Sequence, residues 1–131
     1  MIDKKIKKEL ADTAKASGLI FISTADKDGL SHIAVAGKFN FTEDEKIAIS
    51  QWFCPKTLEN LAFNKRISIV VWDKQKNAGF QIAGEVERME EENILDGYIP
   101  GKEEPVTQVE RELFIDIKAI FSFRKGIHRD A

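Results

Sequence analysis

The stretch that most constrains this chain lies near its C-terminus. Leu113, Ile115, Ile117, Ala119, Phe121 and Phe123 alternate with Phe114, Asp116, Lys118, Ile120 and Ser122. Successive side chains of a strand point to opposite faces, so the first set reads as one face of a long strand lining a core. The second set reads as the outer face, yet it carries Phe114 and Ile120. A half-apolar outer face predicts a covering element or a partner subunit.

A long strand needs neighbours, and the rest of the chain supplies them in short pieces. Residues 19–25, Leu-Ile-Phe-Ile-Ser-Thr-Ala, read as a buried strand. Asp26-Lys27-Asp28-Gly29 is a hairpin turn, since glycine supplies the positive φ that such turns require. The returning strand is expected over 30–41. An acidic turn at 42–46 leads into a strand at 47–50, which gives three antiparallel strands in meander order. Residues 67–72 form another strand. Residues 79–87 come next, with Phe80, Ile82 and Val86 on one face and Gln81, Ala83, Glu85 and Glu87 on the other. Ahead of all these, Ile2, Ile6, Leu10 and Ala14, with Ala11 beside them, define one face of a helix that Gly18 would stop. Residues 90–98 look helical, Pro100-Gly101 would break that helix, and 105–111 are ambiguous. Many short strands with few helices predict a mainly β protein: a small antiparallel split barrel with an N-terminal helix, in one domain spanning 1–131.

Composition limits what such a barrel does. At 43% hydrophobic and 32% charged residues, the chain has the balance of a folded globular protein rather than of a disordered one. No apolar run reaches the length of a membrane-spanning helix, and the lysine-rich start at 4–8 has no apolar signal core behind it. The single cysteine, Cys54, permits no internal disulfide and fits a reducing, cytoplasmic setting. A net charge of −2 leaves no broad basic footprint for nucleic acid.

The segment Cys54-Pro55-Lys56-Thr57-Leu58-Glu59-Asn60-Leu61 stands out chemically. It joins the strand at 47–50 to a short helix with an apolar face of Leu58, Leu61 and Ala62. Lys56 and Thr57 therefore sit where a helix begins. Unpaired N–H groups and a partial positive charge make a helix start suited to phosphate, and Lys56 and Thr57 would add a charge and a hydroxyl. The plainer reading is ordinary helix entry, with proline in the turn, threonine as cap and lysine in solvent.

Three pieces in this order resemble the FMN-binding split-barrel family related to pyridoxamine 5′-phosphate oxidase. They are the hairpin at 23–35, Lys56-Thr57-Leu58-Glu59-Asn60-Leu61 with its following strand, and Gly79-Phe80-Gln81-Ile82-Ala83-Gly84-Glu85-Val86. The resemblance covers roughly 19–89 and continues weakly to 123. It implies FMN bound near the barrel surface at a homodimer interface. The flavin phosphate would meet Lys56 and Thr57. The strand with Ser50, Gln51 and Trp52 would run along the ribityl chain and phosphate. Val35, Ala36 and Gly37 would pass the isoalloxazine ring, and Gln81 would face the flavin.

The chain also departs from that family. Ser50-Gln51-Trp52-Phe53 holds no arginine ahead of the lysine, and the end from Phe123 to Ala131 lacks the arginine and histidine signature for the vitamer. Pyridoxamine phosphate is therefore not expected as substrate. His32 and Cys54, read singly, suit a surface polar position and a structural thiol. His128 falls in an expected tail. No metal-ligand spacing is present, and no catalytic acid or base is legible. The expected function is an FMN-dependent oxidoreductase working with a small-molecule electron donor or acceptor. The alternatives are a non-enzymatic FMN carrier or electron-transfer module, the same barrel holding haem or deazaflavin F420, and an oligonucleotide-binding barrel. Few basic and aromatic residues interleave on the strands, which disfavours the last.

Overall fold

In a computed structural model, residues 2–97 and 106–129 are described. Their order is α1 (Lys4–Ser17), β1 (Ile20–Ala25), β2 (Ser31–Ala36), β3 (Lys38–Phe41), β4 (Ile47–Ser50), α2 (Pro55–Phe63), β5 (Arg66–Asp73), β6 (Ala78–Gly97), β7 (Val106–Arg124) and β8 (Ile127–Arg129). All pairings are antiparallel, and the sheet runs β2-β1-β5-β6-β7-β4-β3, with β8 added on β7. The fold is the mainly β, curled split barrel that the sequence predicts, with its N-terminal helix.

The two edges of this sheet, β2 and β3, are consecutive in the chain. Only Gly37 separates them. Residues 30–41 are therefore not one strand in a flat meander. The part before Gly37 pairs with β1 and the part after it with β4. Switching partners within one residue requires the sheet to curl until its edges approach each other. The Gly37 N–H donates to the Gln51 carbonyl at 3.1 Å across the gap. A Cβ on Gly37 would lie 2.7 Å from the Gln51 amide oxygen, so the side chain of Gln51 occupies the space that glycine leaves.

The hairpin at 26–29 forms as expected. The Asp26 carboxylate accepts the N–H groups of Asp28 and Leu30, each at 2.9 Å, and Gly29 takes φ +82°. Asp3 caps α1 by accepting the Lys5 N–H, and Gly18 ends it in the left-handed region. Leu10, Thr13 and Ala14 are its buried residues, while Ile6 and Ala11 stay exposed. The core rows follow strand alternation. Ala34, Ile22, Ile69, Ile82 and Ile120 stand side by side across β2, β1, β5, β6 and β7.

The long C-terminal strand does not keep one face. Ile117 pairs with Gly84 and Ala119 with Ala83, so Lys118 is an extra residue in β7. This β-bulge shifts the alternation. Leu113 and Ile115 line the core on one side of it, and Ile120 packs against the core on the other. Ala119 and Phe121 fall in register with the outward residues Ala83 and Gln81. The six apolar positions therefore divide between faces, and Ile120 is not an outer residue. Phe114 does face outward, but it is buried, with the Arg88 guanidinium 3.7 Å from its ring centre. Five exposed apolar side chains gather instead on or beside the β1–β2 ribbon, Leu19, Phe21, Leu30, Ile33 and Val35, while Ile6, Phe53, Phe63 and Met89 are exposed elsewhere.

The helix expected over 90–98 is absent as far as Gly97. β6 continues through that segment and pairs with β7, with Gly97 opposite Val106. A further register shift between Glu91 and Asn93 disturbs the period-two pattern there, which explains why the strand is not legible. Tyr98, Pro100, Gly101 and Pro105 lie outside the described residues. The expected C-terminal tail contains β8, where His128 pairs with Phe123. Trp72 packs as expected. Its ring stacks on Phe123 at 5.5 Å across Gly79, which has no side chain to separate them.

Two measurements test this frame. A Cβ on Gly84 would come within 2.4 Å of the Asp116 backbone oxygen, beside the bulge. Gly84→Ala is expected to cost about 1–3 kcal/mol of stability in urea unfolding, as for other overpacked sites. The Lys46 ammonium bridges Glu87 and Asp116, tying the turn before β4 to β6 and β7. Its hydrogen bond holds the Asp116 carboxyl below the usual carboxylate range. A carboxyl depressed by folding adds stability above its unfolded pKa, and loses it as pH falls through the folded value. The urea midpoint of the native chain should exceed that of Lys46→Met at neutral pH, with the gap closing below about pH 4.

Candidate functional site

Helix α2 comes after β4 and a short turn, and it packs over the ends of β1 and β2. Its N-terminus is open. Cys54 stands at the N-cap without a capping side chain, and Pro55 occupies the first turn. The first N–H to find an intrahelical acceptor belongs to Leu58, bonded to the Cys54 carbonyl at 3.2 Å. Helix α1, by contrast, is capped by Asp3. The N–H groups of Lys56 and Thr57 therefore end a helix dipole with no side-chain acceptor, an arrangement that suits an oxyanion.

Lys56 keeps its ammonium at the surface, 38% exposed, and shares it with Glu59 at 3.7 Å. Its charge also acts on the hairpin tip. The Asp26 carboxyl lies below its ordinary range, chiefly through the Leu30 N–H against the cost of burial, with smaller help from the Asp28 N–H and from Lys56. Thr57 points the other way. Its side chain is fully buried, and its hydroxyl has no hydrogen-bond partner among the described residues. Asn60, one turn on, is also buried and donates to the Thr24 hydroxyl at 3.1 Å. That bond fastens α2 to β1.

The other expected site residues form two groups. Ser50 and Trp52 are buried, and Trp52 belongs to the hydrophobic core. Gln51, between them, is exposed and takes φ +60°, a strained value for a side-chain-bearing residue. Ala36 is buried, whereas Val35 and Gly37 are exposed. Val35 opens a row across the outer face of the sheet: Val35, Phe21, Val70, Gln81 and Phe121. Gln81 is half-buried in that row and donates to the Ser68 hydroxyl at 3.2 Å. Its amide oxygen and second N–H remain for a further partner. The outer face thus offers an apolar strip with an oriented amide set into it at Gln81, and the start of α2 offers an oxyanion seat.

One pairing is invisible in the sequence. His32 Nε2 lies 3.2 Å from Cys54 Sγ, so two residues read singly are neighbours. They are separated by 22 positions, and only the packing of α2 against β2 joins them. Among the described residues no group of three or more His, Cys, Asp or Glu forms a metal site.

Asn60→Ala removes the tie between α2 and β1 and leaves the buried Thr24 hydroxyl without that donor. A loss of about 1–3 kcal/mol in urea unfolding is expected. Asn60→Asp, which keeps the size but loses the donor, should be similarly costly.

No curated protein sequence matches this chain. Solved structures do match it. A Clostridium acetobutylicum protein related to general stress protein 26, of the pyridoxinephosphate oxidase family, superposes with a TM-score of 0.65 at 18% identity, covering 97% of this chain and 94% of that one. HupZ of Group A Streptococcus superposes at 0.64 and 18%, covering 100% and 99%. An FMN-binding protein from Syntrophomonas wolfei superposes at 0.51 and 16%, covering 88% of each. The sequence family described as Pyridoxamine 5′-phosphate oxidase matches residues 6–119, from α1 through the bulge of β7, and the chain belongs to that family.

Proposed function

We propose that this chain binds FMN as a homodimer and acts as an oxidoreductase with a small-molecule electron donor or acceptor. The observation that carries the reading is the uncapped start of α2 with Lys56 on it. Family membership and the FMN-binding protein of similar fold support it. The flavin phosphate would accept the N–H groups of Lys56 and Thr57 and pair with the Lys56 ammonium. Thr57 would serve through its backbone, since its hydroxyl is buried beneath the helix. Gln51 and Gly37 would flank the ribityl chain, and Val35 would lie against the ring system. Gln81, held by Ser68, would present its free amide atoms to the polar edge of a flavin.

Bound FMN supplies the electron-accepting chemistry, and the protein supplies position and electrostatics. Lys56 would neutralise phosphate charge. The apolar outer row would exclude water from one side of the ring. No side chain of this chain is assigned as an acid or base. The exposed apolar ribbon of β1 and β2 supports a second copy as its cover, because Ile33 is 62% and Leu30 69% exposed. Among the described residues no helix is long and apolar enough to cross a membrane. The lone cysteine is what supports a cytoplasmic location.

The visible spectrum of the purified protein, with mass spectrometry of any released chromophore, should identify FMN. A released haem or deazaflavin would instead assign the barrel to another ligand. Lys56→Ala should weaken FMN about 10-fold, at the low end for a charged hydrogen bond because the ammonium is solvated. Riboflavin affinity should stay unchanged, and equal losses for both would remove Lys56 from the phosphate. Light scattering should give twice the chain mass of 14.8 kDa. Ile33→Lys should shift that mass toward one chain. Pyridoxamine phosphate should give no turnover above background, since the vitamer signature is missing.

A further inference from the structure

A second concave site lies on the outer face, at the base of the β1–β2 hairpin. It is a cleft of about 510 Å³, within the size range of small-molecule sites. Its floor is a row of short side chains: Ser23 of β1, Ser68 of β5 and Ala83 of β6 stand side by side in register. Its rim is long and charged. Arg66 and Glu85 face each other across β5 and β6, and Lys118 stands beside them. Lys118 is the extra residue of the β7 bulge. The bulge places two consecutive β7 residues opposite one residue of β6, and so adds a cation to a cleft that regular pairing would not equip.

Four cations outside the cleft are already engaged by carboxylates. Lys46 is held by Glu87 and Asp116, Lys56 by Glu59, Arg88 by Glu90 and Arg111 by Glu91. Among the described residues, Arg66 and Lys118 make no ion pair, although Glu85 is the register partner of Arg66. Two unpaired cations therefore rim a floor that carries the Ser23 and Ser68 hydroxyls. Ser31, at the start of β2, adds a third hydroxyl.

We infer that this cleft binds the oxyanion group of a small molecule, a phosphate or carboxylate, between Arg66 and Lys118. The serine hydroxyls donate to the same group, and Glu85 accepts from a hydroxyl or amine at the ligand's other end. A guanidinium matches an oxyanion with a planar pair of donors, and lysine adds a mobile charge. Ser68 connects the cleft to the proposed flavin surface, because its hydroxyl also receives the Gln81 amide. The role of the bound molecule as an electron donor or acceptor rests on the FMN reading, whereas its binding does not.

The test is a ¹⁵N–¹H NMR titration of the purified full chain with inorganic phosphate and, separately, with succinate. Saturable shifts should centre on the amides of Ser23, Ser31, Ser68, Ala83 and Lys118. Tighter binding of phosphate names a phosphoryl group, and tighter binding of succinate a carboxylate. Arg66→Gln and Lys118→Gln should each weaken the better probe about 5-fold, with spectra that otherwise retain the native dispersion. Glu85→Gln should tighten bare phosphate about 2-fold by removing a like charge. Lys56→Ala should leave this titration unchanged while lowering FMN affinity, which separates failure of the cleft from failure of the flavin reading. Shifts that do not saturate, or that centre on 56–60 and vanish in Lys56→Ala, overturn the inference. So does indifference to both Arg66→Gln and Lys118→Gln.

Discussion

Everything in this barrel depends on the change of partner at Gly37. A single residue joins the two edges of the sheet, so β1, β5, β6, β7 and β4 must curl far enough for β2 and β3 to be continuous in the chain. A side chain at 37 would compete with Gln51 for the same space. The closure also fixes the path of the chain beyond β4. Gln51 gives its carbonyl to Gly37, takes a left-handed backbone conformation and turns the chain out of the sheet. Trp52 then enters the core, and Pro55 begins α2. Gln51, which accepts the barrel's closing bond, is thus four residues from the start of the helix that carries Lys56, and the strained backbone is at Gln51 itself. Such strain persists only where surrounding contacts hold it, and here β4 and the buried Trp52 do so.

The second constraint is the uneven pairing of β6 and β7. With regular pairing, all six alternating apolar residues of β7 would face inward. Lys118 interrupts the period, and the two halves of the strand then serve different purposes. Leu113 and Ile115 seal the core against β4, next to Ile47 and Ile49. Beyond the bulge Ile120 joins the core row, while Phe121 extends the outer row that begins at Val35. Gly84 is the necessary counterpart, because the Asp116 backbone approaches where its side chain would be. One irregularity therefore adds Phe121 to the outer row and brings Lys118 to the cleft.

Local chemistry made much of this legible. Asp26-Lys27-Asp28-Gly29 specifies its hairpin through side-chain acceptors and a positive φ, both readable from residue types. The helix stop at Gly18 and the alternation in 79–87 are equally local. The failures share a cause. A partner switch at Gly37 and a bulge at Lys118 are decided by which strands meet, and nothing in the adjacent residues announces either. The segment from 90 to 97 is polar and carries its own register shift, so its pairing with β7 leaves neither strand nor helix period clear. The site divides in the same way. Lys56 at a helix start is visible as a motif. The inward turn of Thr57, the contact between His32 and Cys54 and the cations around Ser23 and Ser68 depend on packing between distant segments.

Thr57 and Asn60 show how the site and the stability of the fold are joined. A threonine that begins a helix usually caps it or faces water. Here it is buried with Asn60 under α2, and Asn60 gives its amide N–H to Thr24 of β1. Buried polar groups in this position add little cohesion compared with apolar ones, but they fix geometry, since each hydrogen bond permits only a narrow set of helix placements. The helix start is consequently positioned by a polar contact to the hairpin strand rather than by apolar packing alone. That contact and the Lys56 charge felt by Asp26 both point α2 at the β1–β2 hairpin. The ribbon that carries the exposed apolar surface and the helix end that offers free N–H groups are thereby held as one unit. A ligand with an oxyanion at one end and a flat apolar body at the other would find both features on the same rigid part of the fold.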